Sequence, residues 1–188
     1  MHFALAPQHL EYYYRNHMIE FEELLSEEEA HALCNEVIEN NLSGRDVWRK
    51  NKLFQKVSLR KQLAEIAANL TKKYPLRIGY DQLLFVADAL KEVTLSEMSS
   101  IQGLVGGCIL HLTDGKNHKI GSGTFFGKNT PILFEELCEN THLLIVYAEE
   151  SSIYTFQESD PYTHALKKLD YVFGDRLKNT THPILYRR

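Results

Sequence analysis

The stretch from Ile101 to Phe126 restricts the possible folds of this chain more than any other. An apolar run, Leu104 to Leu112, meets a turn signal at Asp114-Gly115, with Asn117 close behind. A second run starts at Ile120 and holds Thr124, Phe125 and Phe126. Asp and Asn tolerate a left-handed backbone and Gly adopts it without steric cost, so the pattern predicts a β-hairpin. Gly103, Gly106 and Gly107 inside the first run predict a bulge or a close backbone approach. Strand-like runs follow at Pro131 to Phe134, His142 to Tyr147 and Ser152 to Phe156, so the second half is expected to build a β-rich core.

The first half reads differently. Pro7 can open a short helix with Leu10, Tyr13 and Tyr14 on one face. Ile19, Phe21 and Leu24 alternate with acidic residues, which predicts a short strand. Ser26-Glu-Glu-Glu29 is a capping box, followed by the helical stripe Ala30, Leu33, Cys34, Val37 and Ile38, which Asn40-Asn41 and Ser43-Gly44 end. Arg45 to Val57 is polar and basic, with Trp48 and Phe54 among the charges. A solvated loop with two aromatic anchors accounts for it more simply than a phosphate or nucleic-acid patch on which Trp48 stacks. Ser58 is expected to cap a second helix with Leu59, Leu63, Ile66, Ala67 and Leu70 on one face, stopped by Tyr74-Pro75.

One or two strands are expected between Leu76 and Val86; Asp88 to Ser100 reads as a helical turn and a loop. Glu135-Glu136 is expected to face solvent. Asp160-Pro161 predicts a late helix through Leu166, Leu169, Tyr171, Val172 and Phe173, ended by Gly174 or Asn179. His182 to Tyr186 is expected as a terminal strand, with Pro183 placing it at an edge or a strand start. Helices first and strands later give an α+β expectation, with helices buttressing a sheet or barrel.

Length and composition support one domain over residues 1–188: a mainly helical buttress over 1–75, then a β-rich core over 76–188 carrying the late helix. The 188 residues are 44% hydrophobic, enough for one core and cramped for two. A net charge of −4 argues against broad attraction to nucleic acid or anionic membrane. Cys34, Cys108 and Cys138 are odd in number and far apart, which fits reduced thiols in a cytoplasmic protein. The opening Met1 to Pro7 lacks a basic leader region, and no apolar run approaches the roughly 20 residues of a membrane helix.

Motifs for common chemistries are missing. Gly121-Ser-Gly123 has neither dinucleotide-binding spacing nor the Lys-Ser/Thr of a phosphate loop, and neither G-x-S-x-G nor H-E-x-x-H occurs. Non-haem iron oxygenases hold Fe(II) with two histidines and a carboxylate, the first two usually as His-x-Asp/Glu at a strand end. Only His9-Leu10-Glu11 has that spacing, and it falls in the first helix, where the side chains diverge. His111-Leu-Thr-Asp114 is one residue too long but stands at a strand end before a turn. The plainer expectation is that His111 packs on the sheet and Asp114 shapes the turn. His142 opens a later strand and reads equally well as a surface residue. His164 and Arg176 have the spacing of a distal ligand and a co-substrate clamp, but both fall in the expected late helix. Cys108 and His111 point to opposite faces of a strand, so a buried structural thiol is expected in place of a nucleophile.

The opening Leu10-Glu-Tyr-Tyr-Tyr14, Met18-Ile-Glu-Phe21 and Leu24-Leu-Ser-Glu-Glu-Glu29, followed by an amphipathic helix and a β-rich half, resembles the phytanoyl-CoA dioxygenase branch of the Fe(II)/2-oxoglutarate oxygenases. The chain also resembles hypothetical bacterial proteins of that fold with a degenerate active site, some discussed as Fur-like iron-dependent repressors. The resemblance implies a double-stranded β-helix, of jelly-roll or cupin type, behind N-terminal helices. The family's adjacent ligand pair, distal histidine and basic clamp have no residue-by-residue match here. The expectation is therefore a barrel without the usual metal triad, with no catalytic or metal residues assigned and no cofactor. One alternative is an active oxygenase using Fe(II) and 2-oxoglutarate through His111, Asp114 and a later histidine. The other is a metal-responsive DNA-binding regulator, against which the acidic charge balance stands.

Overall fold

The structure, a computed structural model, describes residues 5–84, 93–132 and 141–188. Among the described residues, four α-helices come from the first half: α1 (Pro7–Asn16), α2 (Glu27–Glu39), α3 (Lys52–Ser58) and α4 (Lys61–Thr71). Six strands form one antiparallel sheet: β1 (Met18–Phe21), β2 (Leu76–Leu84), β3 (Ile101–His111), β4 (Gly123–Gly127), β5 (His142–Tyr154) and β6 (Ile184–Tyr186). Their order across the sheet is β1-β4-β3-β5-β2-β6.

Side chains alternate across a strand, and the sheet sorts them into two layers. Cys108 and Leu110 of β3, Phe125 of β4 and Leu143, Ile145 and Tyr147 of β5 pack on the helices, against Leu33, Phe54, Leu63, Ile66 and Leu70. Leu63 and Leu70 come from one stripe of α4 and Leu33 from α2. Each such side chain stabilises the fold by about 1.5–3 kcal/mol on leaving water. Ile109 of β3, Phe126 of β4 and Leu144 and Val146 of β5 face the other way, where Leu95, Ile132, Leu166, Tyr171 and Leu177 cover them.

The glycine-rich stretch of β3 carries register shifts between Gln102 and Leu104 and between Leu104 and Gly106. A Cβ on Gly106 would stand 2.4 Å from the Phe126 carbonyl oxygen, so β3 and β4 approach there as only glycine permits. The capping box of α2 forms as expected: Glu29 N–H donates to Ser26 Oγ at 3.2 Å, and Ser26 N–H to Glu29 Oε2 at 3.4 Å. The first helix and strand, the strand at β2 and the edge strand at β6 also form.

Several expectations need correction. Arg45 to Val57 is no solvated loop: it holds a 3-10 turn (Val47–Arg49) and α3, and buries Trp48 and Phe54, so the Trp48 ring is not offered to a base. Arg45 Nη1 pairs with Asp160 Oδ2 at 3.0 Å, with both side chains buried, and its guanidinium lies over the rings of Tyr80 and Tyr162. Ser58 does not cap the next helix; it ends α3 and donates to the buried Asp81 carboxylate at 2.7 Å. Ile38 and Tyr14 face solvent, because the buried stripes of α2 and α1 are narrower than the apolar residues suggest.

The late helix is replaced by turns and a 3-10 helix (Ala165–Leu169). Asp160 does not act as a simple cap: its carboxylate accepts from Arg45, from both N–H and Oγ of Ser100, and from Tyr162 N–H, and tertiary bonding overrides the local helical period. The two strands expected at His142–Tyr147 and Ser152–Phe156 are one continuous strand, β5, running through Glu149 and Glu150. The run after Leu84 up to Val86, the start of Asp88 to Ser100, Phe134, Glu135-Glu136 and Cys138 lie outside the described residues, in whole or in part.

Candidate metal centre

The register of β3 and β5 sets His111 directly opposite His142. Both follow the alternation of Ile109 and Leu144, so both project from the face turned away from the helices. On β4, Thr124 stands opposite Ile109 and shares that face. The hairpin expected around Asp114-Gly115 forms, with residues 112–122 connecting β3 to β4. Asp114 Oδ1 accepts Ile120 N–H at 2.9 Å, Gly115 N–H donates to the His118 carbonyl at 3.0 Å, and Gly121 N–H returns to the His111 carbonyl at 2.8 Å. Gly121 has φ +80, and a Cβ there would meet the Leu25 carbonyl at 2.4 Å.

This closure folds His118 back over the sheet. Its ring stacks on His111 with centroids 3.9 Å apart and planes 19° apart, and it meets His142 edge-on at 5.1 Å. His111 and His142 are perpendicular, and their Nδ1 atoms lie 3.0 Å apart. His111 Nε2 reaches Thr124 Oγ1 at 3.3 Å. One ring nitrogen from each of His111, His118 and His142 falls within 4.8 Å of the others.

Burial pushes His111 down to about 3, and the neighbouring His118 and His142 push the same way. Burial also lowers His118, against the pull of Glu20 and Asp114. His111 is therefore a neutral imidazole at neutral pH, with one nitrogen lone pair to offer. His118 Nε2 is buried without a hydrogen-bond partner among the described residues.

Three imidazoles fit a late first-row divalent ion, for which imidazole is a favoured donor. Two nitrogens on one tetrahedral ion at about 2.1 Å stand about 3.3 Å apart, so the widest separation the cluster allows, 4.8 Å, closes by roughly 1.5 Å on binding.

The structure thus brings together His111 and His142, two of the residues that the sequence singles out, and buries His142 where a surface position was equally expected. Asp114 takes the turn-shaping bond and acts electrostatically on His118. His118 escaped the sequence reading; its signal was a second histidine in the same hairpin, seven positions after His111. His164 is exposed among Phe156 and Phe173. Arg176 bridges Ile153, near the opposite end of β5 from His142. Cys108 packs on the helix side with its thiol pushed up by burial, as a structural cysteine.

No protein-family model and no curated protein matches the chain. Solved structures do. The non-heme alpha ketoglutarate dependent carbocyclase SnoK from nogalamycin biosynthesis matches over 97% of both chains, with TM-score 0.76 and 15% identity. The epimerase SnoN in complex with Fe3+, alpha ketoglutarate and nogalamycin RO covers 95% of this chain and 98% of its own, with TM-score 0.66 and 12% identity. CT296 from Chlamydia trachomatis covers 79% of this chain and 97% of its own, with TM-score 0.59 and 20% identity. The fold is that of the Fe(II)/2-oxoglutarate oxygenases.

The expectation of no cofactor is overturned. Ring nitrogens of three histidines lie within 4.8 Å of one another, a group that could hold a metal ion, and structural neighbours are seen with iron or with nickel. The regulator alternative gains no support from these comparisons. Among the described residues no helix is long and apolar enough to cross a membrane.

Proposed function

We propose that this chain is a metal-dependent protein on the oxygenase fold, with its ion held by His111, His118 and His142 in place of two histidines and a carboxylate. The convergence of three ring nitrogens within 4.8 Å carries the reading. The succession β4-β3-β5-β2 within the sheet, with a second apolar layer over the face that bears the histidines, supports a double-stranded β-helix core. Residues 1–75 then buttress this core and 76–188 form it, within one domain.

When bound, an ion held by three neutral ligands keeps its full positive charge and has positions left at which an anionic or carbonyl oxygen is polarised. The protein divides the binding between sheet and loop. His111 and His142 are fixed on paired strands, and the 112–122 connection delivers His118. His111 need not shed a proton to bind, because burial keeps it neutral. Thr124 orients His111, and Glu20, held by Ser122 Oγ at 2.6 Å, adds negative potential at His118.

Metal analysis of the purified chain and calorimetry with Mn(II) or Fe(II), then with 2-oxoglutarate, test this reading. One ion per chain is expected, with binding abolished in His118→Ala. No binding of any first-row ion contradicts it. Heat from 2-oxoglutarate that requires the metal assigns the chain the co-substrate of its structural neighbours.

A further inference from the structure

The two Nδ1 atoms of His111 and His142 lie 3.0 Å apart. Two nitrogens that share one tetrahedral ion at 2.0–2.1 Å stand about 3.3 Å apart. The pair is thus already close to the separation of two ligands, which favours Nδ1 over Nε2 as the ligating atom of His111. Its Nε2 is then left to the outer shell, where it meets Thr124 Oγ1 at 3.3 Å.

A neutral imidazole carries one N–H and one lone pair. If Nε2–H donates to the threonine oxygen, the Nδ1 lone pair points at the metal position. If the hydroxyl donates to Nε2 instead, Nδ1 is protonated and cannot bind an ion. Ligating histidines generally donate their other N–H to a neighbouring acceptor, and that contact sets ring orientation and tautomer. Resting on the three-histidine reading, we propose that Thr124 is the positioning residue that holds His111 as the Nε2–H tautomer and so selects it for ligation through Nδ1. The register supports the assignment: Thr124 is fixed on β4 opposite Ile109, one alternation from His111 on the same face. The hydroxyl is thus placed by strand pairing and not by a mobile loop. In the metal-free protein the proton between the two Nδ1 atoms must then come from His142.

The test uses Thr124→Val and Thr124→Ser in the full chain. Long-range proton–nitrogen NMR on the metal-free protein reads the tautomer, and cobalt(II) absorption reads affinity. The wild type and Thr124→Ser should both show His111 protonated on Nε2. Thr124→Val should show a mixture of tautomers and bind cobalt about 10–100-fold more weakly, with its urea midpoint recording any loss of fold. Three results overturn the proposal: His111 protonated on Nδ1 in the wild type, Thr124→Val binding cobalt like the wild type, or Thr124→Ser binding no better than Thr124→Val. A wild-type chain that binds no cobalt overturns the metal reading, and the tautomer measured without metal then decides by itself whether Thr124 sets the protonated nitrogen of His111.

Discussion

His111 Nδ1 and His142 Nδ1 face each other at 3.0 Å across β3 and β5, and without an ion a single proton serves both atoms. Truncating one partner strands the other nitrogen in a buried site. His142→Ala is expected to cost about 1–3 kcal/mol from the unsatisfied nitrogen alone. Urea denaturation in the presence of a chelator checks this, because it separates the hydrogen bond from any contribution of metal.

A third buried histidine, His182, contributes to acid stability. Arg49 donates to His182 Nε2 at 3.1 Å, so that nitrogen keeps its lone pair, while Nδ1 meets Tyr171 Oη at 3.2 Å. Burial, with Arg49 and Arg77 beside it, holds His182 down to about 3 from an ordinary value of 6.5. The unfolded chain takes up this proton near pH 6.5 and the native chain only near 3. Stability from this group is therefore complete above about pH 6.5 and declines as pH falls towards 3. His111 acts in the same direction, so His182→Gln should reduce, and not abolish, the slope of unfolding free energy between pH 6.5 and 4. Urea midpoints across that range measure it.

The Arg45–Asp160 pair ties the segment after α2 to the segment after β5, with side-chain exposures of 7% and 0%. Removing one partner leaves a buried, uncompensated charge, so Asp160→Ala should lose about 3–5 kcal/mol. Ser100 and Tyr162 N–H lose their acceptor in the same step. Thermal or urea unfolding reads the loss, and the neighbouring but exposed Glu158→Ala serves as a control expected to stay within about 0.5 kcal/mol.

Gly106→Ala tests the close approach of β3 and β4. The added Cβ meets a backbone oxygen at 2.4 Å, which no rotamer change relieves, so the strands must separate locally. The expected loss is about 1–3 kcal/mol, the usual cost of overpacking, measured by denaturation. Amide exchange should quicken along β3 and β4 before it does along β2.

Much of the architecture was legible because its signals are local. The Ser26–Glu29 box, the Leu63–Leu70 stripe of α4 and the glycines of β3 each act within a few residues of themselves. The failures share a cause in long-range bonding. Asp160-Pro161 has the grammar of a helix start, yet its carboxylate is taken by Arg45, 115 residues away in sequence. The candidate site divides in the same manner. His111 at a strand end was readable, whereas its partner His142 depends on the register of β5, and His118 on how an eleven-residue connection closes. A search for adjacent His-x-carboxylate spacing could not find ligands assembled from two strands and a loop.

X-ray absorption at the metal edge of the zinc- or cobalt-loaded chain tests the three-histidine centre most directly. The account predicts a first shell with three imidazole nitrogens at about 2.0–2.1 Å, reduced to two in His118→Ala. A first shell of oxygen atoms alone, or a chain that takes up no ion, would contradict it.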